Sequence, residues 1–342
     1  MQTLLSSCSI CLKINGMDVK DIKGFLGQDW IATQDYIKSS LDSDISLLNS
    51  INSKMLSQSG KQMRPILSLM FARACAGQCV DASYRYAAAA ELLHNATLLH
   101  DDVADKSETR RGKPTIMSLM GPSVSVLVGD FWLVKAVDVI LRDSKQDVEA
   151  IKVFSRTISH LAEGEMLQLQ KAKTGDTEES DYLRIIYSKT AALFEEACVT
   201  AALSVECSDE QLKAAKDYAV ALGLAFQIKD DILDYAGTDS VGKPLGVDLL
   251  EQKITMPLLG ALKNATSQEQ ERVRTMVKEI VEKPELKDEI VRFVMENGGL
   301  EYAAQRLNEY VEQAIRALDV LPDSIEKRYL IELAYYTIGR DK

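Results

Sequence analysis

No run of about eighteen uncharged apolar residues occurs in this 342-residue chain, so no membrane span is expected. Nor is there a Lys/Arg tract of nucleic-acid-binding density, and the net charge is −11, so a polyanion such as nucleic acid is not an expected partner. Any anionic ligand must be held by local cations. Cysteine is sparse: Cys8, Cys11, Cys75, Cys79, Cys198 and Cys207 fall short of a disulfide scaffold, which favours a reduced, cytoplasmic setting. Cys8 and Cys11 form a lone CxxC with no second pair or nearby histidine to complete a zinc set. The apolar patch in the first sixteen residues has no basic residue ahead of it, which argues against a secretory signal. Residues 1–16 are expected to be a disordered tail, and Met17 is as good a start as Met1 because the amphipathic pattern begins just after it.

Period-two alternation is also scarce, and what the chain has instead is helical spacing. From Ile22 through Leu26, Trp30, Ile37, Leu41, Ile45, Leu48 and Ile51, apolar residues recur every three to four positions, predicting one or two helices. The same spacing predicts helices over 65–78, 82–105, 124–142, 147–171, 181–205, 209–235, 254–263, 268–281, 286–296, 300–318 and 325–338. Breaks such as "KSETRRGKP", "TGDTEES" and "GTDSVGKPLG" are turn-forming, and none is a long Pro/Ser/Gly linker. The expectation is an all-α chain with a single helical domain over 17–342.

One pattern occurs twice. "LLHDDVAD" at 98–105 and "FQIKDDILD" at 226–234 each place aspartates at i, i+1 and i+4 near the end of an apolar helix, ahead of a loop bearing Gly and Lys. Positions i and i+4 share a helix face, so Asp101 with Asp105, and Asp230 with Asp234, point the same way, while Asp102 and Asp231 sit about 100° round. Two carboxylates about 6 Å apart repel by roughly 3 kcal/mol at an effective dielectric near 20. A cation between them removes that cost, and oxygen-only donors favour Mg²⁺ held through carboxylates, water and phosphate oxygens. A solvated acidic helix end explains one such cluster; two, with cations near both, point to a metal bridge to phosphate. The cations are Lys61 and Arg64 in "GKQMRP", Arg110 and Arg111, Lys189 in "SKT", and Lys243 and Lys253 in "GKPLGVDLLEQK".

These segments, with "GEMLQL" and "YSKTAALFE", resemble the trans-polyprenyl diphosphate synthases, from about residue 60 to 258 and more weakly beyond. The resemblance implies an all-α, isoprenoid synthase-type helical bundle around a deep central cavity, acting as a homodimer. It implies joining of isopentenyl diphosphate to an allylic diphosphate of farnesyl or geranyl type. By it, Asp101, Asp102, Asp105, Asp230, Asp231 and Asp234 hold about three Mg²⁺ on the allylic diphosphate. Arg110, Lys189, Thr190, Gln227, Lys243 and Lys253 then contact that diphosphate, and Lys61, Arg64, His94 and Arg111 hold isopentenyl diphosphate. Asp101, Asp102, Asp105, Arg110, Lys189, Asp230 and Asp231 carry the ionisation step. The released diphosphate takes the final proton, which suits a chain with three histidines. His100 is read as structural, and His160 carries no signal.

Ala96 and Thr97 lie about one turn ahead of Asp101, under the growing tail, with Ala87 to Ala90 farther down. Ala87 to Ala90 serve close helix packing as readily as a tunnel, but a small residue at 96 leaves a tunnel open, so the expected product has six to ten isoprene units, as in octaprenyl-type synthases making quinone side chains. Such an oily product leaves room for transient membrane contact on release. A terpene cyclase of the same fold would have an Asn/Ser/Glu second metal motif and an aromatic-rich pocket, whereas aromatics are 6% here. A non-catalytic partner subunit would lack some of these charged residues, and a phosphohydrolase would need water where the cavity is apolar.

Overall fold

The computed structural model describes residues 19–141, 145–236 and 246–339; the expected tail over 1–16, the alternative start Met17, and Lys243 lie outside the described residues. Three helices, α1 (Val19–Leu26), α2 (Gln28–Ser40) and α3 (Ser46–Ser57), occupy the stretch for which one or two were expected. They are followed by α4 (Met63–Ala76) and α5 (Asp81–Ala104). The segment expected as a plain loop then folds into a hairpin of β1 (Thr109–Arg110) and β2 (Lys113–Pro114). Next come α6 (Ile116–Met120), α7 (Pro122–Ile140), α8 (Lys145–Thr174), α9 (Glu179–Ile186) and α10 (Ala192–Ser204). The chain continues through α11 (Asp209–Ala236), α12 (Val247–Leu250), α13 (Met256–Lys263), α14 (Ser267–Glu279) and α15 (Leu286–Glu296). It closes with α16 (Gly299–Ala317) and α17 (Ile325–Gly339).

Helix α10 explains the arrangement of the rest. Nearly all its residues are buried, and a helix apolar on every side must be covered on every side. α4, α5, α8 and α11 provide that cover. Outside them, α5 packs on α7 in one apolar cluster, while α11 packs on α16 in a second. The two helices that carry the aspartate clusters therefore flank a common buried helix. Among the described residues no helix is long and apolar enough to cross a membrane.

The helix expected over 181–205 is interrupted. Between α9 and α10, Tyr187–Ala191 forms a π turn, the kind of local expansion that often marks a functional site. Glycines let neighbouring helices approach it: a Cβ on Gly223 of α11 would lie 2.4 Å from the Ala191 Cα, and one on Gly164 of α8 would lie 2.5 Å from the Ser188 Cβ. Because the obstacle at Gly223 is backbone, Gly223→Ala should destabilise the protein by about 3 kcal/mol. The measurement is the urea midpoint; an unchanged midpoint would show that α11 is free to shift off the π turn.

Candidate active site

Asp101 and Asp102 occupy the last turn of α5 and Asp105 is its C-cap, while Asp230, Asp231 and Asp234 occupy the last two turns of α11. A helix C-terminus is the negative pole of its dipole, and neither helix has a basic residue in its last turn. Both ends are thus electrostatically primed for cations from elsewhere.

Asp102 is buried and already engaged: Arg110 donates to its Oδ1 through Nε at 2.9 Å, with Nη2 also at 2.9 Å. The hairpin aims that arginine and its neighbour. Arg111 and Gly112, both left-handed at φ +53° and +74°, form its two-residue turn, a type I′ requirement that glycine meets easily and arginine meets under strain. The Arg111 guanidinium rests on Gly60, where a Cβ would lie 2.3 Å from Nη1, so only glycine allows this approach.

At the other helix end, Asp231 is 2% exposed and held by two partners, one of them braced in turn by a third residue. Tyr182 Oη donates to its Oδ2 at 2.5 Å, Gln227 Nε2 donates to its Oδ1 at 3.0 Å, and Thr190 Oγ1 donates to Gln227 Oε1 at 3.0 Å. Asp234 accepts from the backbone N–H of Val247 and Asp248 at 3.1 and 3.3 Å. Burial, then the Asp248 carboxylate, pushes Asp234 up to about 6. Asp230 is partly exposed in the same stretch of helix. Burial works against the Lys253 ammonium, but Asp248, Glu251 and Asp105 outweigh it and hold its pKa above the ordinary lysine value.

That influence of Asp105 on Lys253 crosses from one cluster to the other, and Lys189 lies between them. Its Nζ is 2.6 Å from Glu165 Oε1 and donates to Gln168 Oε1 at 3.2 Å. The same side chain lines a cavity of about 150 Å³ with Gln227, Asp231, Asp248 and Lys253, and another of about 220 Å³ with Ala96, Thr97 and Asp101. The second cavity runs beneath Asp101 and is walled by Leu93, Leu133, Ile158 and Leu161. Burial, then Glu165 and Asp105, pushes Asp101 up to about 6 in spite of Lys189 and Arg110. His100, assigned no role from sequence, also lines this cavity, its Nε2 3.2 Å from Asp130 Oδ1.

A second polar group gathers where α4, α5 and α10 meet. The Arg64 guanidinium lies 4.9 Å over the Phe194 ring, and burial lowers its pKa to about 10 although Glu91 and Glu196 oppose that shift. Neither oxygen of Glu196 has a hydrogen-bond partner among the described residues, and burial pushes this carboxyl up to about 8. Burial, then Arg64, Arg111 and Arg110, holds His94 well below the usual imidazole value, so it is neutral near pH 7. Lys61 is exposed, its Nζ donating to Tyr336 Oη of α17 at 2.5 Å.

The expected residues thus fall into two groups: both aspartate clusters with Lys189, Thr190, Gln227 and Lys253 about one cleft, and Arg64, His94 and Arg111 on the adjoining side of α5, with Lys61 at its edge. Sequence reasoning passed over Glu165, Gln168 and Asp248 although they stand inside the quoted segments "GEMLQL" and "GVDLLEQK". Tyr182, Glu91, Glu196 and Tyr336 gave no local signal, since their partners come from other helices.

The Polyprenyl synthetase family model matches residues 45–294. An octaprenyl diphosphate synthase of Escherichia coli K12 is 38% identical over 327 residues, which is 95% of this chain and 100% of the relative. Among solved structures, a decaprenyl diphosphate synthase from Rhodobacter capsulatus is similar with a TM-score of 0.86 at 32% identity, covering 95% of this chain and 100% of that one. A polyprenyl synthase from Caulobacter crescentus CB15, complexed with calcium and isoprenyl diphosphate, gives 0.84 at 31% identity, with 95% and 98% covered. Both bear out the all-α, single-domain expectation.

Proposed function

The chain belongs to the polyprenyl synthetase family, and from that premise we propose that it extends an allylic diphosphate with isopentenyl diphosphate, in trans, to a product of six to ten isoprene units for quinone side chains. The observation that carries this reading is the position of Lys189, shared between the cavity at Asp231 and the apolar shaft beneath Asp101. A diphosphate set between the two acidic ends has its tail pointing down that shaft.

The donor set fits Mg²⁺. All six aspartates offer oxygen, and burial, with neighbouring carboxylates adding to it, already raises Asp101 and Asp234 to about 6, a cost that bound cations would remove. Among the described residues no three Asp, Glu, His or Cys side chains converge as a ready-made metal cage. In this reading Asp101, Asp102, Asp105, Asp230, Asp231 and Asp234 would hold about three Mg²⁺. The ions supply Lewis-acid stabilisation of the departing diphosphate.

Lys189 exchanges Glu165 for a phosphate oxygen, and Arg110, Lys253 and Lys243 add charge where the leaving group becomes more negative. Thr190 and Gln227 fix the orientation of Asp231 and of the bound diphosphate. The allylic C–O bond breaks with its electron pair going to diphosphate. Leu133, Ile158 and Leu161 keep water from the allylic cation. Arg64, Arg111, Lys61 and neutral His94 hold isopentenyl diphosphate so that its double bond supplies the electrons of the new C–C bond. The proton then lost goes to the released diphosphate. A homodimer belongs to this reading, since α7 exposes the apolar side chains of Val126, Leu127 and Val134, which suits a second copy. So does a cytoplasmic setting, with the catalytic domain spanning 17–342.

The test is incubation with Mg²⁺, farnesyl diphosphate and labelled isopentenyl diphosphate, read by product mass. Linear polyprenyl diphosphates are expected. A cyclic hydrocarbon, free phosphate without extension, or no product would overturn the reading.

A further inference from the structure

Glu196 has no task in that mechanism, and its burial calls for an explanation. It is 0% exposed on α10, and neither carboxyl oxygen has a hydrogen-bond partner among the described residues. Burying an unpartnered carboxylate is costly enough that the group keeps a proton instead. The helices packed on α10 leave further buried polar atoms unpaired: Arg64 Nε and Ser68 Oγ on α4, and Glu91 Oε2 and His94 Nδ1 on α5. Glu91 has a bond only at its other oxygen, where Asn95 Nδ2 donates at 3.2 Å. Open polar groups on three adjoining helices, in an otherwise apolar core, point to a purpose other than packing.

Arg64 is the cation they have in common. Its guanidinium lies 4.9 Å over the ring of Phe194, two residues before Glu196, and Glu91, Glu196 and Arg111 all act on its charge. Glu196 in turn answers to no charge but Arg64, so α8 and α11, the other helices packed on α10, set none against it. Around the pair, His94 on α5 is neutral near pH 7, and burial keeps Cys198 on α10 and Tyr218 on α11 neutral, while Lys23 of α1 bears on Glu91. We propose that Glu196 is a positioning residue for isopentenyl diphosphate, acting through Arg64. As a neutral acid it leaves the guanidinium charge to the diphosphate, and as a carboxylate it competes for that charge, so substrate binding is coupled to uptake of a proton.

The proposal rests on the elongation reading above, which places isopentenyl diphosphate on Arg64. Burial pushes Glu196 up to about 8, and Arg64, lowered to about 10, stays charged across that range. Below about 8 the free protein therefore offers Arg64 beside a neutral acid, and above it beside a carboxylate. A diphosphate arriving at Arg64 disfavours a second negative charge next to it, so the complex keeps the Glu196 proton to higher pH than the free protein does. Linkage requires the converse: ionised Glu196 must weaken binding of isopentenyl diphosphate by the same factor.

The test is KM for isopentenyl diphosphate between about pH 7 and pH 9. In wild type it should rise about fivefold, with KM for farnesyl diphosphate changed less than about twofold. Glu196→Gln keeps the shape and removes the charge, so it should hold the pH 7 value throughout, which a carboxyl that only fills space would not bring about. A flat wild-type profile overturns the proposal. So does a rise that persists in Glu196→Gln, which would assign the proton to another group, Glu91 foremost. Calorimetric titration with isopentenyl diphosphate near pH 8.5, in two buffers of different ionisation enthalpy, gives a reading that needs no turnover. Wild type should take up about half a proton per molecule bound, and Glu196→Gln about none. Equal uptake by the two proteins overturns the proposal and leaves the elongation reading standing, whereas a wild type that binds no isopentenyl diphosphate across this range overturns both.

Discussion

Asparagine in place of Asp101 should cut chain elongation at saturating substrate by about a thousandfold or more, while making the metal-free protein harder to melt at pH 7.5. The loss follows from where the charge develops. If Asp101 holds metal as proposed, removing its carboxylate from a site whose task is to stabilise a leaving diphosphate costs about 4 kcal/mol of barrier, which is about three orders of magnitude in rate. The gain follows from the sign of the pKa shift. Asp101 is pushed up to about 6 from an ordinary 3.8, so the folded chain holds this proton more tightly than the unfolded chain does. Its destabilising contribution is absent below the unfolded value, grows as pH rises between the two, and is complete above about 6. Metal-free wild type should therefore lose stability through this group between pH 4 and 7, and the variant should not. Because Asp101 is partly exposed, about 1 kcal/mol is expected, or about 2 °C in melting temperature. Mg²⁺ with diphosphate should raise the melting temperature of wild type more than that of Asp101→Asn. Differential scanning fluorimetry at the two pH values and a steady-state assay decide the matter; activity within tenfold of wild type would remove Asp101 from the metal-holding set.

That trade between stability and activity also explains which parts of the protein could be read from its sequence. α5 and α11 were legible because each combines a long apolar period with a local anomaly, like charges crowded at the helix end where the dipole is least hospitable to them. The π turn was not, since one extra residue per turn barely alters the spacing of apolar positions across 181–205. The hairpin has a turn signal in Arg111–Gly112, but arginine is an uncommon first residue for a type I′ turn, and strands of two residues leave no alternation to detect. Asp248 and Tyr182 were invisible for a different reason. Their partners come from other helices, and nothing local records a contact made across 49 positions, as between Tyr182 and Asp231. Lys61 with Tyr336, separated by 275 positions, is the extreme case.

The pairing of Arg110 with Asp102 and of Lys189 with Glu165 changes the picture the spacing alone suggested. These cations are not waiting bare for substrate; each is held by a carboxylate that aims it. In the proposed reading, substrate binding is then an exchange of partners, in which a diphosphate of higher charge displaces a single carboxylate. Such pre-positioning limits the reorganisation needed when charge moves to the leaving group.

Depth of the shaft is the property most open to direct manipulation. Ala96→Phe should shorten the product from six or more isoprene units to about three or four. Ala96 is only 1% exposed, yet it lines the cavity under Asp101 together with Thr97, one turn below the carboxylate, where the tail must pass. At about 220 Å³ the cavity holds only part of a long chain, so further growth must move tail past Leu93, Leu133, Ile158 and Leu161. A phenyl ring projecting from position 96 fills that route above these aliphatic side chains, which yield more readily than an aromatic floor. The ring enters existing space, so overpacking should stay near the low end of the usual range, about 1 kcal/mol. The first condensation should proceed within a few-fold of the wild-type rate, because the block lies below the reacting carbons. Adding Leu133→Ala to Ala96→Phe opens the opposite wall and should return part of the lost length. Products separated by chain length and weighed by mass spectrometry give the answer directly: wild-type length from Ala96→Phe would mean that the tail takes another path out of the cleft.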